Sequence, residues 1–121
     1  MKLSLCVDAI RKLEAYQAPD TQILIDLDDG VGPYSTLLME NGLKYRLLVV
    51  PADSVPADFN HTLVSEVGPI RFNDATAMYL DNTMSLRFDA KRDAFQLWSN
   101  AGLLESDLPI LSATPQVARL Q

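Results

Sequence analysis

The residue types best suited to chemistry follow one apolar run in the segment 23–34. The run from Ile23 to Leu27 is broken only by Asp26 and then gives way to acids, glycines and a proline. Isoleucine-rich runs are typical of strands, whereas glycine and proline interrupt regular structure. The sequence therefore predicts a strand that leaves its sheet near Asp28. The candidate cofactor-binding residues are those of the turn, namely Asp28, Asp29, Gly30, Val31, Gly32 and Tyr34.

Carboxylates are concentrated at this strand end, and clustered carboxylates are the ligands that calcium and magnesium prefer. An EF-hand register that starts at Asp26 fails, because Val31 would occupy the required glycine position and Leu37 the position of the bidentate glutamate. A solvated turn is the favoured interpretation. We therefore predict no metal site and no resident cofactor.

The same strand end allows one enzymatic alternative. The string Ile25-Asp26-Leu27-Asp28 faintly resembles the nucleophile motif of haloacid-dehalogenase-like phosphatases. In such a site one carboxylate attacks phosphorus, the other handles the proton, and magnesium neutralises charge. However, Gly30 replaces the expected threonine or valine, and the chain lacks the alternating helices of a parallel sheet. We therefore predict no catalytic residues and no enzyme activity, with a magnesium-dependent phosphatase as a remote alternative.

The other reactive side chains occur without a recognisable catalytic motif. His61 is the only histidine and lies in a polar loop, so we interpret it as a surface residue. Neither Ser65 nor Cys6 has a nucleophile motif around it. Cys6 stands between Leu5 and Val7, which favours burial in a strand and an inert thiol.

Two aromatic residues and one basic cluster could serve recognition, but each has a simpler interpretation. Trp98 and Tyr34 belong to a class enriched at binding hot spots, although strand packing is the ordinary role of such side chains. Arg87, Lys91 and Arg92 lie around a hairpin end among acids, which favours a solvated turn over an anion site.

The elements that position these residues are mainly strands. Alternating apolar residues over Met1–Val7 predict a short strand. Asp8 is the predicted cap of a helix that presents Ile10, Leu13 and Tyr16 on one stripe. We expect this helix to end near residue 17, before the strand that reaches Asp28.

Later segments predict a succession of strands and turns. The dipeptide Asn41-Gly42 favours a tight turn between an extended segment at 35–39 and a strand at 43–50 that is buried on both faces at its inner half. Residues 51–61 read as an exposed, mobile loop with room for a short turn. Residues 64–72 read as at best a short or edge strand. The remaining predictions are an extended segment at 76–80, a hairpin with strands at 84–88 and 95–98, and a final apolar segment at 103–111.

Length and composition indicate one soluble globular domain over residues 1–121. The chain has 48% apolar and 21% charged residues, which permits a packed core. Its formal net charge of −6 argues against nucleic acid and anionic membrane surfaces as partners. No apolar run approaches the roughly 20 residues that span a bilayer. A single cysteine and the lack of a secretory pattern predict a cytoplasmic location.

The order of these elements resembles the HesB-like (A-type) family of iron-sulphur cluster biogenesis domains over most of residues 2–111. The most specific part is the late hairpin from Met78-Tyr79-Leu80-Asp81 to Phe95-Gln96-Leu97-Trp98-Ser99. The resemblance implies a mainly β (α+β) fold, compact and HesB-like, with one N-terminal helix. It also implies a possible homodimer and iron-sulphur assembly proteins as partners.

This chain departs from the relatives that carry clusters. Those relatives resemble one another in a cysteine that follows a glycine in the early turn and in a Cys-x-Cys near the C-terminus. Here the first position is Val31, and residues 106–121 contain no cysteine. Iron-sulphur clusters are held chiefly by thiolates, usually four. The sequence thus predicts an accessory factor that does not ligate a cluster through the family cysteines, or alternatively a noncatalytic interaction module that has kept only the fold.

Overall fold

The computed structural model of the chain describes residues 1–28 and 44–112, and strands dominate this part. The elements in chain order are β1 Lys2–Leu5, α1 Val7–Glu14, β2 Thr21–Asp28, β3 Lys44–Pro51, a 3-10 turn Ala52–Ser54, β4 His61–Ser65, β5 Ile70–Phe72, α2 Asp74–Ala77, β6 Thr83–Asp89, β7 Ala94–Ser99, β8 Gly102–Leu108 and β9 Ile110–Ser112. The prediction of a mainly β fold with an N-terminal helix is confirmed.

The described strands form one mixed sheet in the order β8-β7-β6-β1-β4-β5-β2-β3-β9. β1 lies in the interior of this order and pairs in parallel with both β4 and β6. β8 and β9 lie at opposite ends of the order, yet only Pro109 separates them along the chain. The Leu47 N–H donates to the Pro109 carbonyl over 2.9 Å. The sheet therefore curls until its two ends meet, in a shape close to a barrel.

The core fills the inside of this curled sheet. Leu3, Leu63, Leu86 and Leu97 come from four different strands and are fully buried. Alternate residues of a strand point to opposite faces, so each apolar position contributes one inward side chain. α1 covers the core with Leu13, which is also fully buried. Burial of each such leucine contributes roughly 1.5–3 kcal/mol.

A smaller apolar cluster covers the outer face of β2 and β3. Leu24, Leu48 and Val50 pack there with Phe59, which is only 2% exposed. The prediction that β3 is buried on both faces is thus confirmed. The loop at 51–61 contains a 3-10 turn, in agreement with the short turn considered for it, and the buried Phe59, which the sequence did not single out, anchors the loop to the sheet.

The start of α1 differs from the prediction. Cys6, and not Asp8, is the N-cap, and its Sγ accepts the Ala9 N–H over 3.4 Å. Cys6 is exposed, so the predicted burial of this thiol is wrong. The alternation of apolar residues stops at Leu5, and Val7, at the first helical position, is 64% exposed. Tyr16 lies beyond the helix end and is also exposed.

The segment 64–80 departs furthest from its prediction. β4 and β5 are short, as one of the two alternatives predicted, but they lie inside the sheet between β1 and β2, and the alternative of an edge strand is wrong. Gly68 adopts a φ of +101°, which permits a turn between the two strands. The predicted extended segment at 76–80 begins instead in α2 and continues as a turn. The Asn73 side chain causes this by accepting the Thr76 N–H as an N-cap.

The late hairpin follows its prediction. β6 and β7 pair antiparallel from Met84 opposite Ser99 to Asp89 opposite Ala94. The predicted turn at Asn41-Gly42 and the extended segment at 35–39 lie outside the described residues. Among the described helices, none is long and apolar enough to cross a membrane.

Candidate functional site

The predicted turn begins at the end of β2. Asp28 is the last residue of β2 and pairs with Lys44 at the start of β3. Asp29, Gly30, Val31, Gly32 and Tyr34 lie outside the described residues. The structure therefore defines the base of the candidate site, which is formed by β2, β3 and α2.

A buried ion pair lies at this base. Asp26 on β2 and Arg46 on β3 are directly opposite each other. The Arg46 Nε and Nη2 both donate to Asp26 Oδ2, over 3.0 and 2.8 Å. The Asp26 side chain is 11% exposed and the Arg46 side chain 4%. Because a buried charge is costly unless it is paired, this interaction explains why an acid interrupts an otherwise apolar strand.

α2 closes the free edge of β2 beside this ion pair. β5 pairs with β2 only at Ile23 and Leu24, which leaves the later residues of β2 without a strand on that side. Thr76 on α2 supplies the missing acceptor, since its Oγ1 accepts the Leu27 N–H over 3.2 Å. Thr76 is 1% exposed. α2 thus takes the place of a neighbouring strand at the C-terminal end of β2.

His61 lies on the other side of α2. Its Nε2 contacts Asp74 Oδ1, and its ring stacks on Phe72 with centroids 5.1 Å apart. Asp74 opens α2, and its side chain is 90% exposed. His61 is 43% exposed, in agreement with the interpretation as a surface residue. A histidine oriented by a carboxylate is a familiar catalytic arrangement, but it also needs a nucleophile. No nucleophile contacts His61 among the described residues.

Tyr45, near the start of β3, forms a polar contact with the turn that follows α2. Its hydroxyl donates to the Tyr79 carbonyl over 2.7 Å. Burial, and then the charges of Glu105 and Asp81, with a smaller contribution from Tyr79, raise the pKa of Tyr45 above its usual value. The phenol is therefore held in its neutral, hydrogen-bonding form. This contact connects β3 to the turn that follows α2.

The predicted basic cluster divides between two surroundings. The Arg87 guanidinium lies 4.7 Å from the centre of the Trp98 ring, and the Trp98 Nε1–H donates to Gln96 over 3.1 Å. Trp98 is thus part of the outer sheet surface and is not in the core. Lys91 and Arg92 are exposed at the turn between β6 and β7, as expected of a solvated turn.

A cavity of about 240 Å³ lies between α1, the β6–β7 hairpin and the β8–β9 junction. Lys12, Phe88, Asp93 and Asp107 are among the residues that line it. The Lys12 Nζ lies 5.0 Å from the centre of the Phe88 ring. Sequence reasoning did not predict this cavity, because its walls come from segments far apart in the chain.

The donors needed for an iron-sulphur cluster are not brought together in the described part of the chain. Residues 1–28 and 44–112 contain no group of three or more histidine, cysteine, aspartate or glutamate side chains placed to hold a metal ion. Cys6 caps α1 and is the only cysteine of the sequence. Since a cluster usually takes four thiolates, this donor set does not fit one.

The structure also differs from the phosphatase alternative. That reading requires an accessible aspartate nucleophile at the end of a parallel sheet covered by helices. Here β2 pairs antiparallel with β3, and Asp26 is bonded to Arg46. The residues that shape this strand end and that sequence reasoning missed are Arg46 and Thr76. Arg46 carried a signal, because a basic residue within an apolar strand suggests a buried acidic partner.

Comparison with known proteins gives one family and a consistent fold. A family model described as iron-sulphur cluster biosynthesis matches residues 1–112. The crystal structure of a proposed Fe-S biosynthesis protein from Lactobacillus salivarius, described as having a novel fold, is 27% identical with a TM-score of 0.81, over 93% of this chain and 98% of that one. A second such protein, from Lactobacillus acidophilus, is 21% identical with a TM-score of 0.74, over 99% and 94%. No curated protein matches the sequence.

Proposed function

We propose that this chain, which belongs to the iron-sulphur cluster biosynthesis family, is an accessory protein of cluster assembly that does not hold a cluster through the family cysteines. Its role is then to bind other proteins of the pathway, without catalysis of its own. The single cysteine is the observation that carries this proposal. Membership in the family supports the pathway, whereas the missing thiols separate this chain from cluster carriers.

The position of Cys6 strengthens the argument. Its Sγ accepts a backbone N–H at the start of α1, and its own N–H donates to the Leu86 carbonyl over 3.2 Å. The sulphur is therefore engaged in helix capping, between β1 and α1. Two copies would bring at most two thiolates together, half of the usual complement.

Anaerobic reconstitution tests the absence of a cluster. The protein is incubated with iron, sulphide and reductant, desalted, and analysed for visible absorbance, iron and acid-labile sulphide. We expect a colourless protein with far less than one iron per chain, and the same result for Cys6→Ala. Stoichiometric iron and sulphide that survive desalting would contradict the proposal, whichever residues hold them.

Capture from native cytosol tests the pathway. The tagged protein should retain a cysteine desulphurase, a scaffold or another assembly protein, identified by mass spectrometry. The alternative of a noncatalytic module outside the pathway is favoured by the same loss of thiols. Reproducible recovery of unrelated proteins, without any assembly protein, would support that alternative and refute the accessory role.

A further inference from the structure

The outer surface of five neighbouring strands carries three cations, and its one carboxylate lies at the end of a strand. β5, β4, β1, β6 and β7 are consecutive in the sheet, and their inward side chains form the core. The outward cations are Arg71 on β5, Lys2 on β1 and Arg87 on β6. We call this surface the basic face. Asp89, at the last position of β6, shares the outward side with Arg87. The other outward side chains are uncharged and include Thr62, Val64, Ser85 and Trp98.

The carboxylates that border the basic face are already engaged. Glu66 follows β4, and its Oε1 accepts the Leu5 N–H over 3.0 Å. Asp89 ends β6, and its Oδ1 accepts the Lys91 N–H over 3.1 Å. The chain as a whole has sixteen acidic residues against ten basic ones. Among the described residues, the basic face carries three cations against one acid, Asp89 at its border, so its net charge is opposite in sign to that of the whole protein.

The cations of the basic face are available to a ligand. In the described part of the chain, Arg71 Nε is the one buried side-chain nitrogen or oxygen without a hydrogen-bond partner. This nitrogen is enclosed by the protein, but Arg71 as a whole is only half-buried, so the rest of its guanidinium can meet an acceptor on a ligand. The Arg87 guanidinium lies over the Trp98 ring, and Arg87 is exposed, so its donors can reach a ligand. Beside Lys2, Val64 offers an apolar contact and is 63% exposed.

The register places the three cations in a diagonal row. Arg71 pairs with Thr62, two residues before Val64, which pairs with Lys2. Arg71 and Lys2 are thus two strands apart across the sheet and two residues apart along it, which corresponds to a distance of roughly 12 Å. Lys2 also pairs with Thr83, four residues before Arg87. Lys2 and Arg87 are one strand apart across the sheet and four residues apart along it, which corresponds to a distance of roughly 14 Å. Each step equals about four residues of an extended chain.

We propose that the basic face binds an acidic protein segment in an extended conformation, with carboxylates about four residues apart. Carboxylates match the donors of arginine and lysine, and an apolar residue between them would meet Val64. A nucleic acid is a poorer match, because its continuous phosphates would extend past the face onto a protein of net charge −6. This inference goes beyond the proposed function and holds whether or not the segment belongs to an assembly protein.

Fluorescence of Trp98 provides the assay, because Trp98 is the only tryptophan of the chain and lies on the basic face. The probe is an end-capped nine-residue peptide with glutamates at its first, fifth and ninth positions. We expect saturable quenching or enhancement that weakens as salt rises. Lys2→Gln and Arg71→Gln should each weaken binding about two- to fivefold, the range for single exposed ion pairs. Two variants on different strands guard against misfolding of either one.

Two controls separate the row from general charge attraction. Arg92→Gln makes the same change in net charge at the exposed hairpin turn, outside the basic face, and should leave binding within error. A peptide isomer with its three glutamates adjacent should bind more weakly, because it reaches only one cation.

Three results would overturn the proposal. The first is equal binding of the two peptides or an equal loss in Arg92→Gln. The second is tighter binding of a single-stranded oligonucleotide than of the spaced peptide. The third is concentration-dependent self-association in sedimentation that Arg71→Gln abolishes, since the occupant would then be a second copy. A stable cluster after reconstitution, or capture without any assembly protein, would refute the proposed function without affecting this test.

Discussion

Removal of the Asp26 carboxylate should destabilise the fold more than most single substitutions. In Asp26→Ala, the Arg46 guanidinium loses the acceptor of two hydrogen bonds while it remains 4% exposed. Because water cannot replace the lost partner, the cost belongs to the range for breaking a buried pair, about 3–5 kcal/mol. Domains of this size have about 5–15 kcal/mol of stability in total, so the loss is large.

Urea unfolding followed by circular dichroism measures this effect. With an m-value of about 1–3 kcal/mol per molar urea, the midpoint should fall by at least about 1 M. Asp58→Ala is the matched control, because Asp58 is exposed in the loop before β4 and its loss should cost within about 0.5 kcal/mol. Arg46→Ala and the double variant complete a thermodynamic cycle, with an expected coupling of about 1–3 kcal/mol. If Asp26→Ala were as stable as the control, the assignment of Asp26 to a buried, structural role would be wrong.

The other predictions concern the neighbouring contacts. Thr76→Val should lower the free energy of unfolding by about 1–3 kcal/mol and speed hydrogen exchange at the Leu27 amide, whereas Thr76→Ser should not; unchanged exchange would contradict the role of α2. Folding raises the pKa of Tyr45, so the contribution of this residue to stability is complete below the unfolded pKa of about 10 and is lost as pH rises through the folded pKa. Tyr45→Phe should therefore flatten the decline of the unfolding free energy at alkaline pH. Parallel curves of unfolding free energy against pH for the two proteins would refute this. Leu97→Ala should cost about 2–5 kcal/mol in urea unfolding, because Leu97 is fully buried, and a cost below 1 kcal/mol would show that the core relaxes around the cavity.

Local patterns in the sequence were sufficient for the strands with a clear period. β2, β3 and the β6–β7 hairpin were predicted because apolar residues alternate or run continuously within each. The HesB-like resemblance relied on these elements, and the family match over residues 1–112 confirms it. These features depend on neighbours in sequence, which one chain displays directly.

Short elements were missed because their signals depend on tertiary contacts. α2 has only four residues, too few to display a helical period, and its cap at Asn73 was the single available sign. The turn at Gly68 and Pro69 suggested an edge because a proline cannot donate to a ladder, but the turn leads into β5 within the sheet. Cys6 was expected to be buried because its neighbours Leu5 and Val7 are apolar. The chain changes from strand to helix at this residue, which leaves Cys6 exposed at the start of α1.

The candidate site shows the same division. The sequence indicated the strand end at Asp28, but the ion pair with Arg46 needed the register between β2 and β3. The basic face was invisible in the sequence, since Lys2, Arg71 and Arg87 lie in three distant segments. Only the pairing of β1 with β4 and β6, and of β4 with β5, aligns them.

The position of β1 within the sheet has a consequence for synthesis on the ribosome. Both partners of β1 are encoded downstream, and Leu5 meets its partner only when Leu86 has been made. Loop closure over such a span is slow, and unpaired strands expose aggregation-prone edges meanwhile. β1 therefore stays incompletely paired until β6 has been made, and truncated translation products that stop before β6 should be degraded or form inclusions.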